Sequence, residues 1–343
     1  MTRWDDWTWE ESSRPPRKIG HEPTNVDDHG QDDRRGSSAI PTAEAPPART
    51  PRAPRASHVF RRRRAAAGLA ALALLALILA TIGSGGGGSG KARPLAKAHV
   101  VKLTATAAQQ AAAQSAAEQR AIEHVLSYTP AITSGGPSGN EVALTFDDGP
   151  GPYTQRLVSE LDRLKVHATF FAIGDQEQYF SQGTAAEVES GEVIGDHTET
   201  HPMMAQLSGH DQYNELFEQM AQVEVVGAKR PRLFRPPYGS FDATTYKQLH
   251  HLHLLMVLWS VDTADYTLPG TQAIVQRALG GATPGAIILM HDAGGDRSET
   301  IAALPAIVEG LHKRGLRPVT VPQLLKDDPP PPGQPIPTSL GGG

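Results

Sequence analysis

EVALTFDDGP, residues 141–150, is an apolar run that ends in two adjacent acids and a Gly-Pro turn. An apolar run of this length bounded by turn residues reads as a buried strand. Six further runs follow it: HATFFAI, EVIGDH, RLFRP, LLMVLWSVD, AIILMH and RPVTV. They alternate with amphipathic stretches, the pattern of strand and helix units around a parallel sheet. In such folds the chemistry sits at the C-terminal ends of the strands, where loops from several strands share one mouth. Five of the seven runs lead directly into polar clusters, so the clusters are expected to converge.

The first cluster holds Asp147 and Asp148. Neighbouring carboxylates repel each other unless a cation or a donor takes up the charge. A metal is one such cation; a surface turn with two solvated acids is the alternative. The second cluster, HTETHP, places His197 and His201 four residues apart. On one helical turn that spacing puts both imidazoles on one face, a common arrangement of metal ligands. It departs from the zincin pattern, because Thr198 follows the first histidine where that pattern needs Glu. Histidines elsewhere, such as His250, His251 and His253, leave an incidental pair open. The remaining clusters are RPPYG at 235–239, DTADY at 262–266 and IILMHD at 287–292.

The rest of the 343-residue chain is uneven. Residues 1–60 are rich in Pro, Arg, Asp and Glu and are expected to be a disordered cytoplasmic segment. Arg61–Arg64 precede AAAGLAALALLALILATI, residues 65–82, which would span roughly 27 Å as a helix. That suits a bilayer, and the basic cluster on its N-terminal side predicts a single-pass plasma-membrane anchor. The N-terminus is then cytoplasmic and everything after it extracellular. A cleaved signal peptide is the competing reading, disfavoured by the sixty residues ahead of it. Residues 83–139 read as a flexible linker, GSGGGGSG, and an Ala-rich helical stalk. Residues 140–327 are expected to form the folded domain that carries these clusters, and 328–343 a disordered tail.

The sequence contains no cysteine, which excludes disulfides and thiolate metal sites. Its formal net charge of -5 offers no basic stripe for a phosphate backbone, so nucleic acid is excluded as a partner.

Taken together and in order, the five clusters resemble the polysaccharide deacetylase family, the carbohydrate esterase family 4 group with its NodB homology domain. The resemblance covers about residues 140–327. It implies an α/β fold, a distorted (β/α) barrel of seven strands, here preceded by a transmembrane helix and stalk. It also implies Asp147 as catalytic base, with Asp148, His197 and His201 as ligands of a divalent metal. Zn²⁺ is the first choice, with Co²⁺, Mn²⁺ or Ni²⁺ compatible with the same donors. Arg235 would hold the base, and Tyr238 would help stabilise an oxyanion through its backbone N–H. Asp265 would orient His291, the acid that protonates the departing amine. Leu289 would line a pocket for the acetyl methyl. Tyr266 stands where the family usually has Trp, which leaves the groove wall aromatic but adds a hydroxyl.

The expected activity is therefore hydrolytic removal of acetyl groups from an N-acetylated polysaccharide, peptidoglycan or a chitin-like glycan. An O-acetyl esterase acting on xylan, and a catalytically silent glycan-binding module on a membrane stalk, are the two rivals.

Overall fold

The computed structural model describes residues 94–333, with side chains from residue 109 onward. Residues 1–60, the 65–82 segment expected to cross a membrane, the GSGGGGSG linker and most of the expected C-terminal tail lie outside the described residues. Among the described residues no helix is long and apolar enough to cross a membrane.

Helix α1 (Pro94–Leu126) leads into β1 (Ala131–Ile132) and β2 (Glu141–Asp147). The chain then alternates: α2 (Thr154–Leu164), β3 (Thr169–Ala172), α3 (Gly174–Ser190), β4 (Val193–Asp196), α4 (Gly209–Val225), β5 (Leu233–Phe234), α5 (Ala243–Leu252) and β6 (Leu255–Val257). It closes with β7 (Val261–Asp262), α6 (Thr271–Gly281), β8 (Ile287–His291), α7 (Ser298–Lys313), β9 (Arg317–Val319) and α8 (Val321–Asp327). All strand pairings are parallel, in the order β1-β6-β5-β4-β3-β2-β8-β7, with β9 also on β2.

Among the described residues nine strands thus stand where seven were expected. LLMVLWSVD is not one strand: β6 and β7 come from it and lie toward opposite ends of the sheet order. Only residues 258–260 separate them, a reach of at most about 14 Å between the flanking Cα atoms, so the sheet must curl for both to pair. An antiparallel bridge from Ser134 to Ala286 ties the β1 side to the β8 side. The result is an open, curled barrel. The remaining extra strand, β1, is two residues long and too short to leave a periodic signal.

Strand alternation sorts the side chains into two layers. Val142, Leu144 and Phe146 point outward to a core shared with Leu157 and Leu161 of α2 and Leu304 and Leu311 of α7. Ala143 and Ile287 point inward, into a core with Leu255, Val257 and Val319. That inner core also contains Ile122 and Val125 of α1 and Leu324 and Leu325 of α8. The packed unit therefore begins ahead of residue 140: the end of the expected stalk is part of the barrel. Arg232, just before β5, bonds Glu123 of α1 at 3.4 Å, so α1 docks where the strands start.

Candidate active site

The register of β2 on β8 pairs Ala143 with Ile287, Thr145 with Leu289 and Asp147 with His291. Inward alternation carries all three pairs into the barrel, and the last pair lies at its C-terminal mouth. Asp148 comes next, and in an extended strand it would face away from Asp147. Its φ of 73° places it in the left-handed region and turns it back. Both acids consequently face one imidazole: His197 Nε2 lies 3.9 Å from Asp147 Oδ2 and 3.6 Å from Asp148 Oδ1.

The HTETHP segment is a loop, which corrects the helical turn expected for it. Thr198 and His201 both have positive φ, 68° and 63°. The Asp196 carboxylate accepts from Thr198 N at 2.7 Å, and Thr198 Oγ1 accepts from His201 N at 3.0 Å. These side-chain bonds replace the helical ones and hold the tight bend. The two imidazoles nonetheless meet, with ring centroids 5.0 Å apart.

Asp148, His197 and His201 each offer a donor atom, and the three lie within 4.8 Å of one another, the one such group among the described residues. On a tetrahedral Zn²⁺ with bonds of about 2.0–2.1 Å, two ligand atoms stand about 3.3 Å apart. The Asp148 Oδ1 separations of 3.6 Å to His197 Nε2 and 3.2 Å to His201 Nε2 fit that edge. The outer contacts fit as well. His197 Nδ1 donates to the Arg235 carbonyl at 2.7 Å, which leaves Nε2 as the nitrogen that could bind a metal. His201 Nδ1 lies 3.1 Å from the Tyr238 hydroxyl. Burial would raise the Asp148 pKa, but hydrogen bonds from His197 and His201 and the charges of His197 and His291 hold it far below the usual carboxylate range.

Arg235, fully buried, follows β5 and crosses the barrel interior. Its Nη1 donates to Asp147 Oδ1 and Thr145 Oγ1, both at 2.8 Å. Its Nε and Nη2 donate to the carbonyls of Val257 and Leu258, and its guanidinium lies 4.2 Å from the Phe171 ring centroid. The charge is thereby paired and every nitrogen is employed.

On the other flank His291 Nδ1 bonds Asp265 Oδ1 at 2.7 Å. Asp265 Oδ2 accepts from the His291 backbone N at 2.9 Å and from Thr300 Oγ1 at 2.7 Å. Burial lowers the His291 pKa, but the Asp265 bond and charge, joined by Asp147 and Asp148, outweigh it and leave His291 raised. Asp265 shows the converse: burial pushes it up, and His291 more than reverses this. With Nδ1 engaged by Asp265, Nε2 is the nitrogen His291 could offer for proton transfer.

Leu289 is buried in β8 one inward position below His291. Tyr266 stands edge-on to His291 with centroids 5.3 Å apart, and Tyr238 edge-on to His201 at 4.6 Å. Both tyrosines are at least half exposed and form two walls of the mouth. Tyr238 adopts a φ of 58° within a turn at Pro237–Gly239, a conformation uncommon for a bulky residue. All ten residues expected from sequence thus gather at one end of the barrel.

Some contributors carried no readable signal. Thr145 lay inside the quoted run, but no motif marks it as a partner of Arg235. Thr300 sits in α7, and only the fold brings it to Asp265. Asp292, fully buried, bonds the Thr154 hydroxyl and fixes the loop after β2. It was visible in IILMHD without an assignable task.

Comparison with known proteins agrees with this geometry. Residues 134–257 match the Polysaccharide deacetylase family. A peptidoglycan-N-acetylglucosamine deacetylase of Bacillus cereus is 38% identical over 188 residues, covering 54% of this chain and 88% of that protein. A chitooligosaccharide deacetylase of Sinorhizobium fredii is 33% identical over 210 residues, 58% of this chain and 98% of its own. The crystal structure of a peptidoglycan N-acetylglucosamine deacetylase bound to a naphthalenyl N-oxidanyl-benzamide superposes with a TM-score of 0.56 at 32% identity, covering 57% of this chain and 92% of that one. With the five clusters assembled at one barrel mouth and relatives of this likeness, the chain belongs to the polysaccharide deacetylase family of hydrolases.

Proposed function

We propose that this enzyme hydrolyses the acetamide of N-acetylated sugar units in a cell-envelope glycan, peptidoglycan first, and releases acetate. The observation that supports this best is the pairing of Asp147 and His291 on adjacent strands, beside the Asp148, His197 and His201 donors. One residue is fitted to accept a proton and the other to give one. Asp147, held by Arg235, takes a proton from water as the water oxygen bonds to the amide carbon. His291, kept protonated by Asp265, delivers its proton to the nitrogen as the carbon–nitrogen bond breaks. The products are acetate and a free amine. In this proposal the backbone N–H of Tyr238 stabilises the charge that develops on the carbonyl oxygen, and Leu289 receives the methyl group. Asp148, His197 and His201 would hold a divalent cation, which would supply Lewis acidity toward the carbonyl and toward water. Zn²⁺ is the metal we assign, with Co²⁺, Mn²⁺ and Ni²⁺ able to occupy the same donors.

The choice of polymer follows from two considerations. The relatives named above act on peptidoglycan and chitooligosaccharide, and residues 65–82 read as an anchor that would leave this domain on the outer side of the membrane. The test is acetate release by the purified domain from peptidoglycan, chitin oligomers and acetylxylan, with and without a chelator. N-acetylated substrates should be turned over, chelation should abolish turnover, and Zn²⁺ should restore it. Activity that survives in Asp148→Ala and His197→Ala would sink the ligand assignment. Turnover of acetylxylan alone would favour an O-acetyl esterase.

A further inference from the structure

Behind the three metal donors, the loops that follow β2 and β8 are packed without room to spare. Asp292 N donates to the Asp147 carbonyl at 3.1 Å. Gly149 is pressed against the Asp292 carboxylate and Gly151 against Ala293: a Cβ on either would come within 2.5 Å of a neighbouring atom. One residue further, Gly294 has a φ of 73°, and a Cβ there would stand 2.5 Å from Asp148 Oδ2. Glycine is favoured here, because a side chain would be strained by the backbone conformation and would push on Oδ2. The loop therefore abuts one oxygen of Asp148, while the other, Oδ1, is the atom nearest His197 and His201.

A loop with two consecutive glycines has little stiffness of its own. Its shape is fixed by Arg297, only 3% exposed. The guanidinium reaches back across Gly294 and Gly295, donating from Nε to the Ala293 carbonyl at 2.6 Å and from Nη1 to the Asp296 carbonyl at 3.2 Å. Arg297 forms no ion pair among the described residues, so its hydrogen bonding is spent on the two ends of this loop. Beyond the charge of the neighbouring Asp296, the partners of this buried guanidinium are loop carbonyls, so what it secures is the path of four residues.

We propose that Arg297 is a positioning residue for the metal ligand Asp148: by closing the Ala293–Asp296 loop it holds Gly294 against Oδ2 and presents Oδ1 to the cation. The inference rests on the reading that Asp148, His197 and His201 are the ligands. Partners that orient a metal ligand from behind typically change affinity by about 10–100-fold when removed.

The test is Zn²⁺ affinity, measured by competition with a chromophoric chelator on full-chain protein stripped of metal. Arg297→Ala should weaken binding by about 10–100-fold. Arg297→Lys, which reaches only one of the two carbonyls, should fall between it and wild type. Gly294→Ala, which leaves the guanidinium bonds in place but intrudes on Oδ2, should weaken binding as well. At saturating Zn²⁺ the KM of Arg297→Lys should equal that of wild type, because Arg297 is placed behind the ligand and not in the mouth. If Arg297→Ala does not fold, the other two variants decide. Variants that melt earlier yet bind Zn²⁺ within twofold of wild type would show a purely structural arginine and overturn the proposal. A wild-type protein that binds no Zn²⁺ would instead remove the ligand assignment beneath it.

Discussion

His291 owes its raised pKa chiefly to Asp265, with Asp147 and Asp148 adding to it, and that dependence can be read in a pH profile. The imidazole must be protonated to act as an acid, so activity declines as pH rises through its pKa. Replacing Asp265 with Asn keeps the hydrogen-bonding shape but removes the charge that holds the proton. The alkaline limb of acetate release against pH should therefore move to lower pH in Asp265→Asn, while an unmoved limb would assign that limb to another group. Arg235 gives a second prediction. It is fully buried against Asp147, and removing one member of a buried pair leaves an uncompensated charge. Arg235→Met should cost about 3–5 kcal/mol of unfolding free energy in urea. Both residues were legible in sequence, but only through the order of five motifs; a lone Asp pair or a lone His pair carries too little information. What stayed illegible was the supporting layer. Thr145, Thr300 and Arg297 reach their partners across the barrel or along a loop, and spacing in the chain does not encode such distances.

Among the elements, α3 breaks the usual rule for a helix laid against a core. Its buried positions include Glu177, Thr184 and Glu187 where apolar residues would be expected. Among the described residues both carboxylate oxygens of Glu187 and one of Glu177 lack a hydrogen-bond partner, and the Thr184 hydroxyl bonds the other Glu177 oxygen. Burial accordingly pushes the Glu177 pKa up to about 7, opposed only by Thr184, and that of Glu187 well above its ordinary value. The sign for stability follows. From about pH 4.3, where an unfolded Glu releases its proton, up to about pH 7, where folded Glu177 does so, rising pH favours the unfolded chain. The whole interval is worth on the order of 4 kcal/mol. Glu177→Gln should therefore lose less stability than wild type between pH 5 and 7, a comparison that urea unfolding at several pH values makes directly. Equal slopes would exclude Glu177 as a source. The strands were the most legible elements, since continuous apolar runs mark buried parallel strands. The split of LLMVLWSVD was not, because a change of sheet partner within three residues leaves hydrophobicity unbroken.

At the scale of the molecule, the barrel does not end where its motifs end. Ile122 and Val125 of α1 enter the inner core although the recognisable clusters begin some twenty residues later. Burial of two such side chains is worth on the order of 3–6 kcal/mol. A chain beginning at residue 129 should thus unfold at markedly lower urea concentration than one beginning at 109, with the donors of the mouth intact in both. Sequence reading assigned this helix to a stalk because its Ala-rich composition satisfies a solvated helix equally well; packing alone tells the two apart. The same helix docks at the strand starts, and the mouth lies at the strand ends. For anyone wishing to immobilise this catalyst, the consequence is practical: a bead or resin coupled through the start of α1 should leave the reactive face turned outward, free to meet an insoluble polymer that cannot diffuse to it.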